Sequence, residues 1–305
     1  MDEMTADGSA DQTISWQARR DALVAAIHHA HEMRKPMIMG IVNVTPDSFS
    51  DGGHHADADA GARHARILAQ EGATLLDIGG ESTRPGAGFV PEAEEIARTR
   101  PVLMALHRET AWLSIDTYKS GVAREAVRAG ATMVNDVWGM QRDPAMAPVL
   151  AETGAVAVLM HNRETIDPSV DMRDAFCRFF DLVLSQAERA GIRHERIVLD
   201  PGIGFGKTDP QNIEAIRLIG MLRAQYGLPV LLGLSRKSLF GRLLGRDVHE
   251  RLAGTLAANL CGMQQGAAIL RVHDVAQHVD AVTVAALIAE SQGIGSRENR
   301  GAEQA

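Results

Sequence analysis

From residue 37 onward the chain alternates between short apolar runs and longer segments in which apolar and polar residues repeat at helical spacing. The runs are "MIMGIVNV", "TLLDIGG", "WLSID", "TMVND", "AVAVLM", "RIVLD", "PVLLGL" and "AAILRV", eight in all. Continuous apolar runs of this length, rather than strict alternation, mark strands covered on both faces, as in a parallel sheet flanked by helices. The segments between and after them predict helices over 57–71, 92–107, 119–129, 143–152, 171–190, 210–225, 240–265 and 275–290. Eight strand–helix units in an unbroken series predict an α/β fold of the (β/α)8 TIM-barrel type, with a doubly wound sheet as the alternative.

Before the first run, "SWQARRDALVAAIHHAHEMRK" spaces Trp16, Leu23 and Ile27 as a helix would, which predicts an extra N-terminal helix. The domain reading is a polar extension with a helix over 1–36, a single barrel over 37–290 and a polar tail over 291–305. Residues 1–13 and the tail are expected to be disordered. With 45% hydrophobic and 4% aromatic residues in 305, the chain has the composition of a soluble globular protein. A net charge of −8 without a Lys/Arg cluster argues against nucleic acid or an anionic membrane surface as partner. No apolar run approaches the ~18 residues of a spanning helix, and "MDEMTADGSADQ" has no secretory pattern, so the expected location is the cytoplasm. Cys177 and Cys261 fall in helical segments and read as small buried hydrophobes.

Polar residues change the picture because they gather where the runs end. Asn43, Asp77, Asp116, Asn135 with Asp136, Met160 with His161, Asp200, Ser235 to Lys237, and Arg271 with His273 follow the eight runs in turn. The C-terminal ends of barrel strands form the catalytic face. Any one of these residues reads equally well as a helix cap or a turn residue, but the whole series reads as a site. "DPGIGFGKT" (200–208) is not a phosphate loop: Gly202 lies one place short of the spacing in G-x-x-x-x-G-K-[ST], and glycines two apart do not make G-x-G-x-x-G. The stretch presents Asp200, and its glycines shape a tight turn.

"GIVNVTPDSFSDGG" (40–53), "LDIGGESTRPGA" (76–87), "SIDTYK" (114–119), "VNDV" (134–137), "DPGIGFGKT", "GLSRKS" (233–238) and "RVHDV" (271–275) occur in this order along the chain. Together they resemble the dihydropteroate synthase family. That resemblance implies an enzyme joining 6-hydroxymethyl-7,8-dihydropterin pyrophosphate to p-aminobenzoate, by loss of pyrophosphate and trapping of a pterin-stabilised cation. An arylamine is neutral and nucleophilic near neutrality, so no strong general base is required.

The resemblance also implies roles. Asp116, Asn135, Met160, Asp200, Phe205 and Lys237 would bind the pterin. Asp200 would grip its 2-amino and N3–H edge through charge-assisted hydrogen bonds, with Lys237 on the O4/N5 side. Phe49, Pro85 and Ser238 would bind p-aminobenzoate, with its carboxylate at the helix start that Ser238 opens. Thr83, Arg84, Arg271 and His273 would meet the pyrophosphate; Arg271 and His273 alternate along one strand end and so share a face. Asp51, Arg84 and Lys237 would be catalytic, with Asp51 holding the amine and stabilising the cation. Asn43 would be the metal position, for Mg2+. Loops 45–53 and 81–88 would close over the substrates. A homodimer through "LAGTLAANLCGM" and sulfonamide binding at the p-aminobenzoate site are further implications of the family. Two other readings keep a pterin pocket. A methyltetrahydrofolate-binding methyltransferase domain would not need "SFSDGG", "STRPG" or "SRKS", and a catalytically silent paralogue would show an eroded loop or a lost Lys237.

Overall fold

In the computed structural model, which describes residues 15–45, 53–82 and 88–302, every apolar run becomes a strand of one parallel sheet. The strands are β1 (Met37–Asn43), β2 (Leu75–Gly79), β3 (Trp112–Asp116), β4 (Met133–Asp136), β5 (Val156–Met160), β6 (Ile197–Asp200), β7 (Leu231–Leu232) and β8 (Ile269–Val272). Their order is β6-β5-β4-β3-β2-β1-β8-β7, and a parallel bridge from Leu199 to Val230 joins the two ends. The (β/α)8 barrel is therefore the fold, and the doubly wound alternative falls.

Helices surround the barrel: α1 (Trp16–Met33), α2 (Gly53–Gln70), α3 (Glu92–Leu106), α4 (Ser120–Arg128), α5 (Met146–Thr153), α6 (Met172–Ala190), α7 (Asp209–Arg217), α8 (Ile219–Tyr226), α9 (Ser238–Leu244), α10 (Leu252–Gln264) and α11 (Val275–Ala302). Four expectations change. The helix over 210–225 divides at Leu218, whose backbone (φ −80°, ψ −3°) ends α7 and begins α8. The helix over 240–265 divides because Gly245 takes φ 64° and stops α9, after which Asp247 and Glu250 form a capping box on a short 3-10 turn. The polar stretch expected as a tail continues α11 as far as Ala302, where the described residues end. Cys261 is exposed and Cys177 half-buried, because both lie on outward flanks of their helices rather than in the core.

The interior is layered. Period two along each strand turns Met39, Leu75, Met133, Val156, Val198, Leu231 and Ile269 inward, where with Val158 they form a cluster separate from the main core. Leu23 and Ile27 of α1 belong to this cluster, at 0% and 2% exposure, so the extra helix plugs the N-terminal end of the barrel. Burying two such side chains is worth about 1.5–3 kcal/mol each. Polar contacts pin α1 from several sides: Trp16 Nε1 donates to the Ala131 carbonyl at 2.9 Å, Trp112 Nε1 to the Arg19 carbonyl at 3.0 Å, and Arg223 Nη2 to the His31 carbonyl at 2.8 Å. Above this apolar floor the same inward parity delivers Asp77, Ser114, Asn135 and Arg271. The main core lies between barrel and helices. Among the described residues no helix is long and apolar enough to cross a membrane.

Candidate active site

Asp77 is the hub of the polar layer. It is fully buried; Ser114 Oγ donates to its Oδ1 at 2.6 Å, while Arg271 Nε and Asn135 Nδ2 donate to its Oδ2 at 2.6 and 2.9 Å. Arg271 Nη2 turns to Asp116 Oδ2 at 2.6 Å, so one guanidinium bridges two carboxylates on neighbouring strands. Arg271 Nη1 makes no hydrogen bond to another described residue. Asp116 Oδ1 and Asn135 Oδ1 are buried and accept no hydrogen bond from the described residues. Buried acceptors are normally satisfied, so this pair describes a pocket short of donors.

Electrostatics follow from burial. Desolvation pushes the Asp116 carboxyl up to about 7 against the pull of Arg271, with Asp77 adding repulsion. Burial alone would lower Arg271, but the Asp77 and Asp116 carboxylates outweigh it and hold the guanidinium charged. At the end of β6, Asp200 is buried beside Met160, its register partner on β5. Its carboxyl is raised by burial, opposed by the Gly202 N–H, which donates to Oδ1 at 2.7 Å, and by the Lys237 charge.

Lys237 reaches this pocket from the segment after β7. Its Nζ donates to the Ile203 carbonyl and lies 4.4 Å from the Phe205 ring centroid, a cation–π distance. Burial lowers its ammonium to about 8, with Asp200 opposing and Arg271 assisting. Arg236 sets the direction. It is a non-glycine residue at φ 55°, held there by Nε to Asp274 Oδ2 at 2.9 Å and by Arg251 Nη1 donating to its carbonyl at 3.0 Å. On the same rim, the His273 backbone N–H donates to Ser235 Oγ at 3.2 Å and its Nδ1 lies 3.1 Å from that oxygen.

The structure thus brings together Asp116, Asn135, Met160, Asp200, Phe205, Lys237 and Arg271. Arg271 differs from expectation in standing within the polar layer, paired with Asp77 and Asp116, rather than only at the rim. Asn43 ends β1. A Cβ built on the neighbouring Gly79 would lie 3.8 Å from Asp116 Oδ2 and 3.9 Å from Asn43 Oδ1, so that glycine keeps the space between the two oxygens open. No cluster of three His, Cys, Asp or Glu that could hold a metal occurs among the described residues. A hard ion that takes most ligands from water and phosphate, and one neutral oxygen from the protein, fits this donor set. Ser238 is exposed at the first turn of α9. Phe49, Asp51, Thr83, Arg84 and Pro85 lie outside the described residues.

Two residues with work in the site were missed by sequence reasoning. Asp77 registers as one more strand end, although it shares inward parity with Leu75 and Gly79, which was the available signal. Lys207 was passed over once the phosphate-loop reading of its motif failed. Asp136, by contrast, fits the turn reading: its oxygens accept from the N–H groups of Trp138 at 2.9 Å and Met140 at 2.6 Å in the turn that follows β4.

Residues 39–273 match the family described as pterin binding enzyme. A dihydropteroate synthase from Bacillus subtilis (strain 168) is 46% identical over 244 residues, 80% of this chain and 85% of that protein. A solved dihydropteroate synthase from Xanthomonas albilineans with 4-aminobenzoic acid superposes with a TM-score of 0.80 at 46% identity, covering 84% of this chain and 94% of that one. The Xanthomonas albilineans enzyme in complex with 7,8-dihydropteroate gives a TM-score of 0.76 at 44% identity, over 84% and 95% of the two chains.

Proposed function

This chain belongs to the pterin-binding enzyme family, and we infer from that premise and from the pocket that it is a dihydropteroate synthase. It condenses 6-hydroxymethyl-7,8-dihydropterin pyrophosphate with p-aminobenzoate to give 7,8-dihydropteroate and pyrophosphate, a transferase step of folate biosynthesis. The observation that carries the reading is the donor-poor pocket. Asp116 Oδ1 and Asn135 Oδ1 wait for N–H groups in a buried layer beside Asp200. A pterin offers a 2-amino group and ring N–H groups, and pairing them with buried carboxylates forms strong charge-assisted bonds.

In this reading Asp200 accepts from the 2-amino and N3–H edge. Asp116 and Asn135 accept from the remaining N–H groups, Met160 and Phe205 pack on the ring, and Lys237 donates on its O4/N5 side. The C–O bond to pyrophosphate breaks with its electron pair leaving on the phosphate. Asp116 and Asp200 stabilise the resulting cation electrostatically. The neutral arylamine then forms the C–N bond and releases its proton to solvent. Arg271 Nη1 and His273 face the leaving group in this scheme. Asp51 and Arg84 complete the catalytic set; Thr83 joins the pyrophosphate contacts, and Phe49, Pro85 and Ser238 receive the p-aminobenzoate. Asn43 would hold a Mg2+ ion, which when bound neutralises charge on the pyrophosphate and makes it a better leaving group.

The same reading extends to a cytoplasmic homodimer inhibited by sulfonamides at the p-aminobenzoate site. Its support is an apolar outer face on α11, where Val284 and Leu287 are 57% and 60% exposed beside α10. The deciding assay is pyrophosphate release from the dihydropterin substrate with Mg2+, with and without p-aminobenzoate. Release coupled to dihydropteroate formation and abolished by Asp200→Asn is the expected result. Pterin binding without turnover would make the chain a silent paralogue instead.

A further inference from the structure

The glycines of "DPGIGFGKT" wrap a side chain rather than a phosphate. Lys207 is 3% exposed, and its Nζ donates to three backbone carbonyls: Gly202 at 2.8 Å, Phe205 at 3.1 Å and His161 at 3.2 Å. Three carbonyls match the three N–H bonds of an ammonium, whereas a neutral amine would leave one of them facing a lone pair. Nζ also lies 5.9 Å from the Phe176 ring centroid. Burial pushes this ammonium well below the ordinary lysine value and Lys237 and Arg163 add repulsion, so its charge depends on the three carbonyls together with the opposite charge of Asp200.

The cage demands an unusual backbone. Gly202, Gly204 and Gly206 take φ of 65°, 84° and 60°, a left-handed alternation that brings the Gly202 and Phe205 carbonyls to Nζ while the Ile203 carbonyl turns to Lys237. Space is equally restrictive: a Cβ on Gly202 would sit 2.0 Å from the His161 carbonyl oxygen, and one on Gly206 2.3 Å from that of Arg163. Three of the cage's neighbours belong to the pterin pocket. His161 follows Met160, Gly202 donates to Asp200, and the Phe205 ring packs against Lys237.

We propose that Lys207 is a positioning residue, an internal cation that fills a three-carbonyl site as a bound monovalent ion would and thereby fixes Met160, Asp200 and Phe205 around the pterin. No contact of Lys207 with the substrate is part of the proposal. It rests on the pterin reading of the site given above, and its test separates the two.

Lys207→Met keeps the aliphatic stem and removes the charge. The expected result is a rise of about tenfold or more in KM for the dihydropterin pyrophosphate, with KM for p-aminobenzoate held within about twofold. A folded Lys207→Met enzyme with an unchanged pterin KM, or with both KM values raised equally, would overturn the proposal. In Lys207→Ala the atoms removed correspond to n-propylammonium, so adding that ion during refolding is expected to restore pterin affinity while n-propanol is not. Equal effects of the two would also overturn it. If neither variant folds, the wild-type protein decides: 15N-lysine NMR, assigned through the Lys207 side-chain carbons, should report a charged, solvent-protected ammonium. A neutral or freely exchanging amine would refute the cage. Should the wild-type protein neither bind the pterin nor make dihydropteroate, the functional reading fails, while the NMR result still decides the cage.

Discussion

Asp77 and Asp116 stand on neighbouring strands β2 and β3, two register positions apart, yet they differ in what they can offer a ligand. Both oxygens of Asp77 are occupied by protein donors, whereas Asp116 keeps Oδ1 open. Asp77→Ala leaves Arg271 with one buried partner fewer, and equilibrium denaturation should show a loss of roughly 3–5 kcal/mol. Lys237 gives a pH signature. Its ammonium is the charged form below about 8, so kcat/KM should fall as pH rises through that value, approaching about tenfold per unit, and Lys237→Met should lack that limb. His161 gives a different one. Burial, helped by Lys207 and Arg163, holds the imidazole neutral down to about 2, with its ring edge-on to Phe176 and Phe179 at 4.9 and 5.1 Å. The unfolded chain binds that proton from 6.5 downward and the folded protein does not, so stability is highest above 6.5 and declines below it. Unfolding measured from pH 7 to 5 should show a slope from this residue that steepens toward about 1.4 kcal/mol per unit at the acid end, and His161→Phe should remove it. Asp116, Asn135 and Asp200 were legible because each ends an apolar run at an inward position. Lys207 was not, because its partners are carbonyls whose direction depends on three backbone torsions that no residue pattern states.

At the level of elements, the eight strands were readable from hydrophobic runs alone, since a strand buried on both faces has no polar alternation to hide it. Helix ends were less so. The breaks at Leu218 and Gly245 depend on local backbone geometry, and apolar periodicity continues straight across both. For α1 the spacing of Leu23 and Ile27 gave the helix but not its destination, because the apolar floor it covers is assembled from seven different strands. Truncating Leu23 and Ile27 to Ala opens that floor. Each change should cost about 2–5 kcal/mol, seen as a lowered thermal midpoint, with kcat of the folded fraction unchanged.

For the molecule as a whole, the outer faces of α10 and α11 carry the homodimer reading. Val284→Asp should convert a dimer to a monomer in sedimentation velocity, and a wild-type protein that sediments as a monomer at all concentrations would remove that reading. The plug at the barrel floor reaches further than stability. With Leu23 and Ile27 covering the N-terminal ends of the strands, the described part of the polar layer faces the other end, where the strands deliver Asp116, Asp200 and Lys237. Under the proposed function the pterin takes this buried layer, so it is expected to board before the arylamine. Steady-state kinetics should then show an ordered addition, and p-aminobenzoate that binds equally well with and without the pterin pyrophosphate would exclude it.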